Sequence, residues 1–201
     1  MAGRSSHVFL FVIPSSLKHT RRFPVKRTAL IVLSAALVAA VTILPARAAA
    51  DAMPAVGQMA PTFTLPSQMG TRISLKNYRG KWVVLYFYPK DLSPGCTIEA
   101  HNFEHTLSQF HAKNAVILGV SVDSVAMHAQ FSAKDGLTFH LLADPSHNVV
   151  NMYGSLGSFR GMTIAMRNTF LINPEGKIVH VWTKVDPRMA ASEVLAVIPN
   201  R

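Results

Sequence analysis

Cysteine is nearly absent from this chain, which carries one, Cys96, in 201 residues. A single thiol excludes an internal disulfide and a Cys-x-x-Cys redox pair. It also leaves no cysteine beside the apolar amino-terminal run for lipid attachment. Acidic residues are scarce as well, 10 against 20 basic ones, for a formal net charge of +10. That excess is local. Residues 1–48 hold seven basic residues (Arg4, Lys18, Arg21, Arg22, Lys26, Arg27 and Arg47) and no acid, so the rest of the chain has 13 basic and 10 acidic residues. The remainder is an ordinary, slightly basic domain with no basic stripe to mark a nucleic-acid partner. No internal repeat is present.

What the amino-terminal part does have is one uncharged apolar run, Ala29 to Leu44, preceded by Lys26 and Arg27 and followed by Pro45-Ala46-Arg47-Ala48-Ala49-Ala50. Basic flank, apolar core and small-x-small end read as a secretory signal peptide over 1–48, cleaved after Ala48 or, second, after Ala50. An uncleaved membrane anchor is the alternative, and 16 residues are short for a span. The stretch before Lys26 is long for a leader. Thr20 to Lys26 partly resembles a twin-arginine signal, with Pro24 where an apolar residue is preferred; the other reading, which we prefer, starts translation near Val25. Residues 49–55 form an Ala/Pro linker and 56–201 the exported domain, most simply a bacterial periplasmic one.

Within the domain the patterns alternate. Thr62–Ser67 and Thr71–Leu75 flank Gly70 and predict a hairpin. Trp82–Tyr88 is an apolar, β-branched and aromatic run, a buried strand. Thr97–Lys113 is predicted as one helix, with Ile98, Phe103, Leu107 and Phe110 at roughly helical spacing. Ala115–Val122 reads as a strand, Asp123-Ser124 as a cap for a helix over Val125–Lys134, and Gly136 as its stop. Phe139–Ala143 is a strand, and Asp144 to Ser146 cap a helix to Tyr153. Arg167–Ile172 and Lys177–Thr183 pair across Asn173-Pro174-Glu175-Gly176, and Pro187–Ile198 is the last helix. The order predicts an α/β fold, a mixed central sheet with helices on both faces.

Cys96 falls between the first core strand and the helix after it, in a loop punctuated by Pro89, Pro94 and Gly95. It stands in the first helical turn, where free backbone N–H groups and the positive dipole end favour a thiolate over a thiol. A lone cysteine is most often an inert buried hydrophobe. Here Ser93-Pro94-Gly95 precede it rather than an apolar run, which places it at a surface or cleft, and a reactive role is the better reading.

The pattern Pro89-x-x-x-Ser93-x-x-Cys96 resembles the peroxide-reacting loop of peroxiredoxins, with serine where many members have threonine. The wider run Phe87-Tyr88-Pro89-Lys90-Asp91…Pro94-Gly95-Cys96-Thr97-x-Glu99-Ala100 resembles the bacterioferritin-comigratory-protein, or PrxQ, branch. The similarity extends over about Val56 to Val197 and includes Val56-Gly57-x-x-Ala60-Pro61-x-Phe63-x-Leu65 and Arg167-x-Thr169-Phe170-Leu171-Ile172. It implies a thioredoxin-like fold with an added amino-terminal hairpin, and a thiol peroxidase for hydrogen peroxide or organic hydroperoxides. Cys96 would be the nucleophile and Arg167 the cation that holds thiolate and peroxide with its planar donor fork. Ser93 would accept and donate a hydrogen bond at the peroxide, and Pro89 and Pro94 would shape the loop. Glu99, three residues after Cys96, is placed to orient Arg167.

Taken singly, each has a bland reading: Ser93 as a turn or cap residue, Arg167 as a solvated strand-edge charge, Glu99 as a complement to the helix dipole. Their joint fit to one motif sets those readings aside. Many PrxQ-type proteins carry a second, resolving cysteine five residues after the first; here that position is His101. A Cys96 sulfenic acid would then need an external thiol, thioredoxin-like, glutaredoxin-like or small, or a second chain. The sequence thus resembles a one-cysteine peroxiredoxin acting as a monomer or homodimer, with no cofactor. His101 and His105 lie four apart, but no third ligand matches them, and no metal is expected. Two other classes compete. A disulfide-exchange protein on the same fold is opposed by the missing Cys-x-x-Cys, and a non-catalytic binding module by the intact set of Pro89, Ser93, Cys96 and Arg167.

Overall fold

The computed structural model describes residues 52–200; the expected leader and the first three residues of the linker lie outside them. A small antiparallel hairpin comes first, β1 (Thr64–Pro66) and β2 (Arg72–Ser74), followed by one 3-10 turn, Leu75–Tyr78. Then β3 (Trp82–Phe87), α1 (Pro94–His105), α2 (Leu107–Ala112), β4 (Ala115–Ser121), α3 (Val125–Asp135), β5 (His140–Ala143) and α4 (Asn148–Met152) alternate. A second hairpin, β6 (Leu156–Phe159) and β7 (Met162–Ala165), precedes β8 (Asn168–Ile172), β9 (Ile178–Thr183) and α5 (Ala190–Val197).

Five strands form the central sheet in the order β5-β4-β3-β8-β9. β3 pairs parallel with β4 and antiparallel with β8, so the strand leading to Cys96 and the strand following Arg167 are neighbours. The two-residue period of a strand splits the core. Val84, Tyr86 and Tyr88 face one cluster with Phe103 of α1, Phe110 of α2, Phe131 of α3 and Val194 of α5. Val83, Leu85 and Phe87 face the other, with Phe170, Tyr153 and Val150. Both faces of β3 are therefore covered, as its uninterrupted apolar run predicts.

Three local expectations need correcting. The helix predicted over Thr97–Lys113 is broken at Thr106 (φ −103°, ψ 5°), whose hydroxyl donates to Asn102 O at 2.7 Å. A threonine hydroxyl that bonds the carbonyl four residues back competes with the helix ladder. The β6–β7 hairpin was not predicted. It turns through Arg160 and Gly161, both at positive φ (50° and 78°), and its half-exposed strands carry little of the apolar alternation that marks a buried one. The last helix starts at Ala190 rather than Pro187. The caps fare better. Ser124 accepts from Met127 N at 3.3 Å, and Gly136 ends α3 at φ +67°. Asp144 caps α4 from further back, Oδ2 accepting from Val149 N and Val150 N at 2.8 and 2.9 Å.

Candidate active site

β3 delivers the chain at Tyr88, and half-buried Pro89 ends the strand because it has no N–H for the ladder. Ser93, extended at φ −77° and ψ 146°, precedes α1, and Pro94 opens it, the position where a missing N–H costs nothing. Cys96 is the third helical residue. It is 2% exposed, which corrects the surface placement read from the flanking loop. The reason is periodicity: Cys96, Glu99, Ala100 and Phe103 are the buried residues of α1, an i, i+3, i+4, i+7 stripe that Cys96 begins. Ile98, taken as part of the apolar face, is 37% exposed.

Arg167 comes from the residue just before β8 and reaches across to α1. Its Nη2 lies 3.4 Å from Cys96 Sγ, and its Nη1 is ion-paired with Glu99 Oε2. One planar fork thus joins sulfur and carboxylate. The Glu99 side chain is wholly buried. Burial pushes its carboxyl up to about 7, with the Arg167 charge and hydrogen bond pulling the other way. For Arg167, burial pulls the guanidinium down, but the charges of Glu99 and Cys96 outweigh it and leave it above its ordinary value. It remains a cation under all working conditions.

Ser93 does not cap α1 with its side chain; the hydroxyl donates to Lys90 O at 2.9 Å. In this geometry it offers its lone pairs to a substrate and not its proton, so of the two hydrogen bonds expected of it only acceptance is free. The structure therefore gathers Cys96, Arg167 and Glu99 through direct contacts, with Ser93 and Pro89 on the loop entering the same helix.

Residues 56–181 match the AhpC/TSA family. The chain belongs to this family, and it is a peroxiredoxin, a thiol-dependent peroxidase. The peroxiredoxin is 44% identical over 147 residues to a putative peroxiredoxin bcp of Coxiella burnetii, across 70% of this chain and 95% of that one. It is 38% identical over 152 residues to peroxiredoxin Bcp of Bacillus subtilis, covering 72% and 95%. Among solved structures it resembles a cysteine-to-serine mutant of Xylella fastidiosa PrxQ, with a TM-score of 0.68, 36% identity and coverage of 72% of this chain and 94% of that one. The thioredoxin-like fold and the PrxQ branch expected from the motif are both borne out.

Position 101 departs from the expected resolving cysteine in an informative way. His101 Nε2 lies 3.1 Å from Asp135 Oδ1 at the end of α3, while the His105 ring sits 6.0 Å away. The turn of α1 around it is tied down by its neighbours as well. Glu104 accepts from Thr138 N and Oγ1 at 2.8 and 2.7 Å, and Asn102 Nδ2 donates to Pro187 O at 3.2 Å.

A second polar group was missed altogether. Tyr88, Asp91 and His128 form a hydrogen-bonded cluster under the loop, with exposures of 1%, 2% and 0%. Asp91 reads in sequence as an ordinary loop acid and His128 as one of several helical histidines. The available signal was that His128 stands three residues before Phe131, on the apolar side of α3.

Proposed function

We propose that this peroxiredoxin is an exported one-cysteine enzyme that reduces hydrogen peroxide or organic hydroperoxides through a Cys96 sulfenic acid. The Cys96 thiolate attacks one peroxide oxygen; the S–O bond forms as the O–O bond breaks, and the other oxygen leaves as water or an alcohol after taking a proton. An external thiol then condenses with the sulfenic acid, releasing water and forming a mixed disulfide. A second thiol reduces that disulfide and frees Cys96. The observation that carries the reading is the Arg167 fork between Cys96 Sγ and Glu99. It supports a thiolate at the start of α1 and keeps a cation at the place where negative charge moves from sulfur to the leaving oxygen. Ser93 is suited to accept the hydroxyl hydrogen of the peroxide, and Pro89 to shape the loop that carries it.

Peroxide consumption with a panel of donors, thioredoxin-type, glutaredoxin-type and small thiols, tests the reading together with trapping by dimedone. Adduct at Cys96 and turnover with at least one donor are expected, and Cys96→Ser should lose both. Turnover that survives Cys96→Ser would sink it.

Export is supported by the basic-apolar-small pattern of residues 26–50. The mature amino terminus is expected at Ala49, or at Asp51 if cleavage follows Ala50. Sequencing of the mature protein from a periplasmic extract checks this, and a peptide from His7–Leu17 in the precursor would rule out a start at Val25.

A further inference from the structure

We infer that His128 is a positioning residue for peroxide reduction, acting through Asp91 to hold the loop that presents Ser93 beside Cys96. The inference rests on the assignment of Cys96 as the peroxide-reducing sulfur and extends it to a residue of α3 that touches neither sulfur nor arginine.

The loop is fastened at one residue from three directions. Asp91 Oδ1 accepts from the Tyr88 hydroxyl at 2.7 Å, and Oδ2 lies 2.8 Å from His128 Nδ1. The Asp91 backbone N–H donates to Asp123 Oδ2 at 2.9 Å, and that carboxylate in turn accepts from Ser121 Oγ at 2.7 Å. Residue 91 is thus tied to the end of β3, the end of β4 and the middle of α3. A carboxylate only accepts, so His128 carries its hydrogen on Nδ1. Burial, and after it the Asp91 charge, hold Tyr88 well above its ordinary range, so its hydroxyl stays a donor.

Two observations say that these bonds serve more than folding. First, Leu92, directly after Asp91, sits at φ +59°, a region that branched residues rarely enter. Such a conformation persists only where the surroundings over-determine it, and here the fastening is on the preceding residue. The next residue is Ser93, in turn bonded to Lys90 O. Second, His128 and Asp91 have wholly buried side chains, and His128 Nε2 has no hydrogen-bond partner among the described residues. A buried polar pair is often no better for stability than an apolar pair of the same volume, and an unpaired nitrogen makes it worse. A purely structural site of this size would be served by leucine or phenylalanine. The arrangement fits a loop whose geometry matters more than its stability.

The test compares His128→Leu, His128→Asn and Asp91→Asn in the full exported domain. Asparagine can put an amide N–H where histidine has Nδ1–H, so it keeps the bond to Asp91. For each variant three quantities are measured: the rate of Cys96 with hydrogen peroxide, its rate of alkylation by iodoacetamide at the same pH, and the melting temperature. Loss of a hydrogen bond to a charged group predicts about a tenfold or greater fall in the peroxide rate for His128→Leu. Alkylation should change little, because the thiolate and Arg167 are untouched, and His128→Asn should recover most of the loss. If His128→Leu does not fold, Asp91→Asn carries the same expectation of a selective fall in the peroxide rate. Equal losses in both reactions, or an unchanged peroxide rate in a folded variant, would overturn the inference while leaving Cys96 in place. Peroxide turnover in Cys96→Ser would overturn the underlying assignment itself.

Discussion

Arg167 is the residue on which the site turns, because the same side chain meets the sulfur and a buried acid. Arg167→Ala removes a charge-assisted hydrogen bond, worth about 1.5–3 kcal/mol, and a tenfold rate change corresponds to about 1.4 kcal/mol. The peroxide rate at neutral pH should fall at least about tenfold in a folded variant; stopped-flow kinetics that match the wild type would remove Arg167 from the site. Ser93→Ala should slow reaction with peroxide more than alkylation, since the hydroxyl is proposed to place the peroxide and not to ionise the sulfur. Equal losses would assign it to the thiolate instead. Glu99 gives a pH signature. Its carboxyl rises from 4.5 in the unfolded chain to about 7 in the fold, so the folded state binds its proton more tightly. The contribution to stability is then largest below 4.5 and declines as pH rises from 4.5 to about 7. Thermal melts of the wild type against Glu99→Gln should show the wild type losing ground across that window and level outside it. A wild type that instead gains ground with rising pH would mean that the Arg167 pairing outweighs burial.

At the scale of the element, α1 decides what kind of redox cycle is available. Positions five apart on a helix lie about 140° apart around its axis, so a thiol at position 101 cannot meet Cys96 unless the helix opens. His101 to Asp135, Glu104 to Thr138 and Asn102 to Pro187 O all resist that opening. His101→Cys supplies the missing thiol and removes one of these ties. An internal disulfide is expected after peroxide treatment, forming faster when Glu104→Ala removes a second tie; mass analysis of free thiols follows it. A chain that stays unlinked in both variants, with Cys96 over-oxidised, would show a helix too rigid to use a partner thiol. The break at Thr106 belongs here too. Leu107 and Phe110 continue the apolar spacing of the sequence, yet the threonine hydroxyl divides the segment in two.

Over the whole molecule, the parallel β3–β4 pair and the antiparallel β3–β8 pair bring residues 96 and 167 together from 71 positions apart. The packing that fixes this is tight at β4. A Cβ added at Gly119 would lie 2.7 Å from the Tyr86 ring, and that ring is held by Tyr88, Phe103 and Phe139. Gly119→Ala should therefore destabilise the domain by about 1–3 kcal/mol through overpacking, read as a lower midpoint in urea. An unchanged midpoint would mean that the aromatic stack yields.

Sequence alone determined the order of most strands and helices, because two-residue and helical periods are local properties, and it marked the Pro89–Cys96 loop, whose prolines and glycine break both periods. The contact of Arg167 with Cys96 was foreseen through the family motif, and that with Glu99 from its place three residues after Cys96 on the helix. The β6–β7 hairpin escaped because half-exposed strands have little apolar pattern to show. The burial of Cys96 was misread from its loop neighbours, although the stripe 96, 99, 100, 103 was present. Only the tertiary structure could reveal that Asp91 and His128, 37 positions apart and 2.8 Å from each other, form one buried pair. The place of His128 three residues before Phe131 hints at its burial, but nothing local joins it to a loop aspartate until the α3 side chain and the loop are packed together and water is gone.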